Sequence, residues 1–284
     1  MKNKWLTAGA CIGIGVMLLA GGAYSARADA PGYEMYKTAL QQLHSAASFT
    51  VTADVSVTDN GAKVADAQAA VKHNRELETV SVAATVDHLG ETHSMNMYRQ
   101  DGQMIVKSSE SDVYKVVERG PTQWKQDGPP QIVGHVIDNV ASRMWEHAKV
   151  EAADDGGTQI TLDLTGSELP VPVKAVSSFI LSKAANNPKW EQMPRLSNNT
   201  ALEQIHIAAK LGPDARMERQ TAQFVVTGND EAGVHHVIAV QLDAHITDVD
   251  RTVSDRIDLT DKPLETVQPR NGNHEAIGRG WHRQ

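Results

Sequence analysis

Apolar side chains recur every three to four positions across residues 32–48. Tyr33, Tyr36, Leu40, Leu43 and Ala47 form one stripe, with Glu34, Lys37, Gln41 and Gln42 away from it. That spacing predicts an amphipathic helix. At Phe49 the period drops to two. Val51, Ala53, Val55 and Val57 share one face of a strand over 49–58, and Thr52, Asp54, Ser56 and Thr58 share the other. Asp59-Asn60-Gly61 then reads as a hairpin turn. Further strands come at 63–72, 78–87, 92–99, 103–107 and 113–118, with turns at Leu89-Gly90 and Asp101-Gly102. A run of hairpins is an antiparallel meander.

The polar segment 120–130, with Pro121, Pro129 and Pro130, reads as a loop. Residues 131–149 predict a second helix, its buried stripe being Ile132, Val136, Ile137, Val140 and Met144. Asp154-Asp155-Gly156-Gly157 turns into a strand over 158–165, and Pro172 can open a third helix over 172–185. Long strands over 201–211, 217–228 and 234–248 complete the pattern. In the last of them Val234, His236, Ile238, Val240, Leu242, Ala244 and Ile246 share one face, an alternation long enough for a large bent sheet. From Pro263 the chain is polar and aperiodic, which predicts a flexible polar tail over 263–284. The expected fold class is therefore α+β, mainly antiparallel β. It is a curved half-barrel sheet covered by two or three helices, in one domain over 29–262.

The start of the chain changes the picture of where this domain works. Met1-Lys2-Asn3-Lys4 carries two positive charges, and the next charged residue is Arg27. Ala26-Arg27-Ala28 fits a signal-peptidase site, so 1–28 reads as a signal peptide. The uncharged run over about 5–26 is also long enough to stay as a membrane anchor. In both readings the rest is extracytoplasmic, secreted or anchored to the membrane. Cys11, the one cysteine, lies inside this segment behind Ala8-Gly9-Ala10, which is not a lipid-attachment pattern. The chain beyond residue 28 therefore has no disulfide, no thiolate nucleophile and no thiolate metal ligand. Removing 1–28 lowers the net charge of −8 by three, to −11. A dispersed acidic surface excludes nucleic acid as a partner, because phosphate contacts need clustered Lys and Arg. It also disfavours loose adsorption to anionic lipid.

Candidate chemistry is sparse. No G-x-S-x-G, H-E-x-x-H, Walker loop or G-x-G-x-x-G occurs beyond the export segment, so no catalytic and no cofactor-binding residue is assigned. The chain is not expected to be an enzyme. Its 12 histidines raise metal binding. His235 and His236 are strand neighbours that leave opposite faces, and His236 reads as a core histidine. His235, Asp243 and His245 share a face, but two-residue steps along a strand set Cβ atoms about 7 Å apart. No metal ligand is assigned. His88 and His93 flank a hairpin turn with no acidic partner at telling spacing. Asp154-Asp155-Gly156-Gly157 lacks the alternate oxygen ligands and closing Glu of a calcium loop and reads as a turn. Asp248, Asp250, Asp255 and Asp258 lie among arginines and read as exposed ion pairs.

The order of helix, long meander, mid-chain helices and long closing strands resembles the lipoprotein-carrier superfamily of LolA-like extracytoplasmic proteins. The likeness is carried by Tyr36, Ala39-Leu40 and Leu43 in the first helix and by the strand running to Asp59-Asn60-Gly61. Near the other end it is carried by Gly228-Asn229-Asp230, Gly233, His235-His236 and Thr247-Asp248-Val249-Asp250-Arg251-Thr252. It implies a half-open barrel plugged by helices, with acyl chains received between them, and it transfers no ligand-contacting position. The expected function is an exported, non-catalytic binding or carrier module for an acyl chain, lipid or lipoprotein, without a cofactor. The alternative is a membrane-tethered protein-interaction or sensor domain, with a membrane or cell-wall protein as its partner. With 5 Trp, 5 Tyr and 3 Phe in the chain, an apolar site built from its other residues suits aliphatic chains better than planar rings.

Overall fold

Alternation of apolar and polar side chains builds one open sheet, and an amphipathic helix lies on it. The computed structural model describes residues 31–88, 90–118, 144–169 and 196–267. The expected export segment, the 120–130 loop, helical positions 131–143, the helix over 172–185 and the tail beyond residue 267 lie outside these residues.

The elements are α1 (Pro31–Ser45), β1 (Ser48–Asp59), β2 (Ala62–Asn74), β3 (Thr79–His88), β4 (Glu91–Gln100), β5 (Gln103–Ser108) and β6 (Tyr114–Glu118). They continue as β7 (Lys149–Ala152), β8 (Thr158–Thr165), β9 (Asn198–Leu211), β10 (Met217–Asn229), β11 (His235–Thr247) and β12 (Leu264–Thr266). The 12 strands order as β12-β6-β5-β4-β3-β2-β1-β11-β10-β9-β8-β7. Every neighbouring pair is antiparallel except β12 with β6. Asn60 and Gly61 turn β1 into β2 with φ of 49° and 81°, the paired left-handed conformations of a tight hairpin. Asp101 and Gly102 do the same between β4 and β5, at 54° and 73°.

Several expectations need correcting. Among the described residues α1 is the one full α-helix, not one of two or three, and of the expected second helix only Met144 and Trp145 are described as helical. The first helix ends at Ser45 instead of residue 48, because Ser48 already pairs with Asn74 and the Arg75 guanidinium donates to the His44 and Ser45 carbonyls. A cation there also suits the negative end of the helix dipole. Lys149 does not end a helix. It opens β7, a hairpin arm onto β8 across the Asp154-Asp155-Gly156 turn. Tail-like composition begins at Pro263, yet Leu264–Thr266 pairs in parallel with Tyr114–Val116, so backbone pairing extends past the expected boundary.

The two faces of the sheet are covered differently. On the inner face α1 buries Tyr33, Tyr36, Ala39, Leu40 and Leu43 against β1 and β8–β11, in one cluster with Trp145, Ile160, Leu162, Ile207, Leu242 and Ile246. Fully burying one such aliphatic side chain is worth about 1.5–3 kcal/mol. Gln220 is also fully buried on this face, opposite Tyr36, with neither amide atom in hydrogen-bond geometry. Burial therefore dominates the Tyr36 hydroxyl and pushes its pKa up, with only partial offset from the Gln220 amide.

On the outer face the segment after β11 runs back as a strap across the ends of β1–β4. Thr252 Oγ1 meets Thr50 Oγ1 at 2.8 Å, and the Thr252 amide donates to Ser48 Oγ at 2.9 Å. The Asp255 amide donates to Ser81 Oγ at 3.0 Å. Gln100 clamps Ile257 twice, donating to its carbonyl at 2.8 Å and accepting from its amide at 2.9 Å. Buried Ser48, Thr50, Thr79, Ser81, Gln100, Thr252 and Ser254 all belong to this seam.

Candidate functional site

Register determines what the inner face presents beyond the helix. Phe49, His73, Val80, Arg99, Met104 and Val117 lie side by side across β1–β6. Two residues along each strand the next row is Val51, Val71, Val82, Met97, Val106 and Lys115. The third is Ala53, Ala69, Ala84, Met95 and Ser108, and the fourth carries Val55, Ala67, Val86 and His93. Period-two sequence thus places Val and Met in contiguous rows on β3–β6.

Val80, Val82, Met95, Met97, Met104 and Val106 are half-buried, and none belongs to the packed cluster beneath α1. The two ends of this apolar face differ in charge. At one end the His73 ring stands 5.2 Å from the Phe49 ring, and its Nδ1 is buried without a hydrogen-bond partner. Burial, then the nearby Arg75 and Arg99 guanidinium groups, hold the His73 pKa below its ordinary value. At the other end His93 Nδ1 lies 3.1 Å from Glu110 Oε1, and its Nε2 lies 3.8 Å from Glu91 Oε2. The hairpin spacing of His88 and His93 hid Glu110, which comes from the loop after β5, whereas Glu91, two residues from His93, is an acidic partner that the expectation passed over.

The other expected groups sit apart from this face. His236 is a paired inner-face histidine: its Nδ1 is 2.8 Å from Asp59 Oδ2 and its Nε2 is 3.6 Å from Asp230 Oδ2. His235 points instead to Asn229 Oδ1 at 3.2 Å. His245 Nε2 is 3.4 Å from Asp243 Oδ1 on the outer face, where Arg219 grips both carboxylate oxygens at 2.8 and 2.5 Å. The Arg219 contact holds the Asp243 pKa below the usual carboxylate value. Among the described residues no three His, Cys, Asp or Glu side chains converge as a metal site. A trough of about 430 Å³ crosses the outer face, lined by polar groups that include Asp54, Ser56, Gln68, Gln223 and Gln241.

The acidic residues after β11 mostly form surface contacts. Asp250 meets Arg216 at 3.2 Å and Asp248 meets Arg251 at 4.0 Å. Asp255 pairs with Lys72 at 2.8 Å rather than with an arginine, and Asp258 receives the Thr260 amide at 2.9 Å.

No protein-family model matches the chain, and no curated protein matches it. Among solved structures it is similar to a DUF1329 family protein from Desulfovibrio piger, 11% identical over 80% of this chain and 94% of that one, with a TM-score of 0.24. It is also similar to an uncharacterized conserved protein from Thermus thermophilus, 8% identical over 82% of this chain and 98% of that one, with a TM-score of 0.28. Values this low leave the functional reading to the residues themselves.

Proposed function

We propose that this protein is an exported, non-catalytic carrier or binding module that takes an aliphatic chain on the inner face of β3–β6. The observation that supports this reading is the half-buried Val and Met surface there, continuous with but separate from the core under α1. Methionine is unbranched and adapts its shape to flexible partners, as a surface for acyl chains requires. Each methylene moved from water onto such a surface contributes about 0.8 kcal/mol. A LolA-like half-barrel, with further helices over the open face, is the architecture that would suit this task.

Native mass spectrometry of the full-length protein tests the reading. A bound aliphatic species is expected, and Met97→Asp should abolish it by placing a charge in the middle row. A protein that carries no lipid and takes up none when offered it would overturn the proposal.

One observation favours the protein-interaction reading. All four residues of edge strand β7 are exposed, which leaves that edge open for strand addition by a partner. Partner capture that is lost on Val150→Pro, in a protein that takes up no lipid, would favour it.

A further inference from the structure

The two edges of the sheet end differently. At one edge β12 pairs along β6, whereas at the other β7 carries no further strand among the described residues. We propose that the β7 edge pairs with the same strand of a second copy of this chain, antiparallel, with Val150 opposite Val150 across a two-fold axis. The inference rests on the protein-interaction reading above, names its partner, and is independent of the acyl-chain reading.

The backbone is set for this pairing. The Ala153 amide donates to the Gly157 carbonyl at 3.0 Å, and the same register continues with Glu151 opposite Gln159 and Lys149 opposite Thr161. Along an antiparallel strand, alternate residues turn both N–H and C=O toward one neighbour and then toward the other. Ala153, Glu151 and Lys149 therefore face β8, and Val150 and Ala152 turn their backbone groups to the open edge. Two copies of Val150 placed opposite each other exchange both N–H···O bonds. They also cover a side chain left 41% exposed.

Charge selects the register. Lys149 and Glu151 are both exposed, and as residues two apart on a strand they share one face. With the axis at Val150, each Lys149 stands opposite Glu151 of the second copy, at the closely spaced non-hydrogen-bonded positions where opposite charges attract. Sliding one strand by two residues is the smallest step that keeps the backbone groups in phase. In one direction it sets Lys149 against Lys149, and in the other Glu151 against Glu151. The pairing is isologous and closes on itself as a dimer. A four-residue ladder covers far less than the roughly 1,200–2,000 Å² of a standard interface, so the dimer is weak and depends on concentration.

Cysteine cross-linking of the full-length chain, with Cys11→Ser so that only the introduced thiol reacts, reads both the pairing and its register. Cα atoms of a hydrogen-bonded antiparallel pair stand about 5.5 Å apart, within the roughly 4.4–6.8 Å that a disulfide spans. Val150→Cys is expected to give a disulfide-linked dimer under mild oxidation. Ala152→Cys should not, because the two copies of that position lie about 13 Å apart along the strands. Lys149→Glu or Glu151→Lys, added singly to Val150→Cys, should slow cross-linking by about 10-fold, and the two together should restore it. That recovery separates charge pairing from a folding defect. Equal cross-linking from positions 150 and 152, or rates that ignore the single charge reversals, would overturn self-pairing in this register. A chain that does not cross-link at position 150 yet loses partner capture on Val150→Pro overturns the second copy as occupant and leaves the protein-interaction reading standing. Neither cross-linking nor any effect of Val150→Pro overturns both.

Discussion

Two regions of the same inner face share one alternation and end up in different states. Over β8–β11 and β1 the inward Leu, Ile, Val and Ala side chains pack with α1 in one cluster, with Ile160, Leu162, Ala209, Leu211 and Ala244 fully buried. Over β3–β6 Ala84 and Val86 are buried, but inward Val80, Val82, Met95, Met97, Met104 and Val106 stay half-buried. Branched, shape-specific side chains fill a fixed volume, whereas the thioether chains of Met95, Met97 and Met104 pack in many ways. The first region is closely packed, and the thioethers of the second are the side chains that adapt to irregular neighbours.

The sharpest way to break this comparison is to truncate one side chain in each region. Leu162→Ala removes atoms from a fully buried position and should lower the unfolding free energy by about 2–5 kcal/mol. Met97→Ala, at a half-buried position outside the cluster, should cost less than about 1.5 kcal/mol. Urea denaturation measures both. Equal losses would mean that the β3–β6 face is ordinary closed core.

A smaller effect is expected where the strap crosses the outer face. Gln100→Ala removes both contacts to Ile257 and leaves that backbone without its partners, a loss of about 1–3 kcal/mol. Hydrogen exchange should show faster exchange of the Asp255 and Ile257 amides, with the β9–β11 amides unchanged. Acceleration throughout the sheet would show instead that the strap is part of one cooperative unit with the core.

Much of the sheet was legible in the sequence because a period of two dictates both strand and face. Thr158–Thr165 matches its expected bounds, and the Asn60-Gly61 and Asp101-Gly102 turns stand where their residue types put them. The alternation of Val80, Val82, Ala84 and Val86 could not say that Ala84 and Val86 are buried while Val80 and Val82 are half-buried, since the same pattern serves both. β7 was hidden because four exposed residues give too short a pattern. β12 was hidden because a three-residue parallel pair depends on the backbone of Tyr114–Val116, far away in sequence. The charge polarity of the candidate site was equally hidden. Arg99, His73 and Glu110 are brought to its two ends by register and a loop, and neither leaves a local motif.

The smallest expected effect concerns His73, at the border between the two regions beside Phe49. Burial and the nearby Arg75 and Arg99 lower its folded-state pKa below the ordinary 6.5. The unfolded chain therefore binds the proton more readily, and the stability due to neutral His73 is complete above about 6.5. It is lost as pH falls through the depressed folded value. Asp243, held by Arg219, and Asp230, held first by the Val234 amide, are also depressed, but from 3.8, so their contributions fade only in stronger acid. Between these windows the slope belongs to histidine. His73→Gln should flatten the decline in thermal stability just below pH 6.5 and leave the deeper acid loss intact. If the decline persists unchanged, His73 is solvated in the folded protein, and the border between the buried core and the half-buried face lies further toward β1 than its register implies.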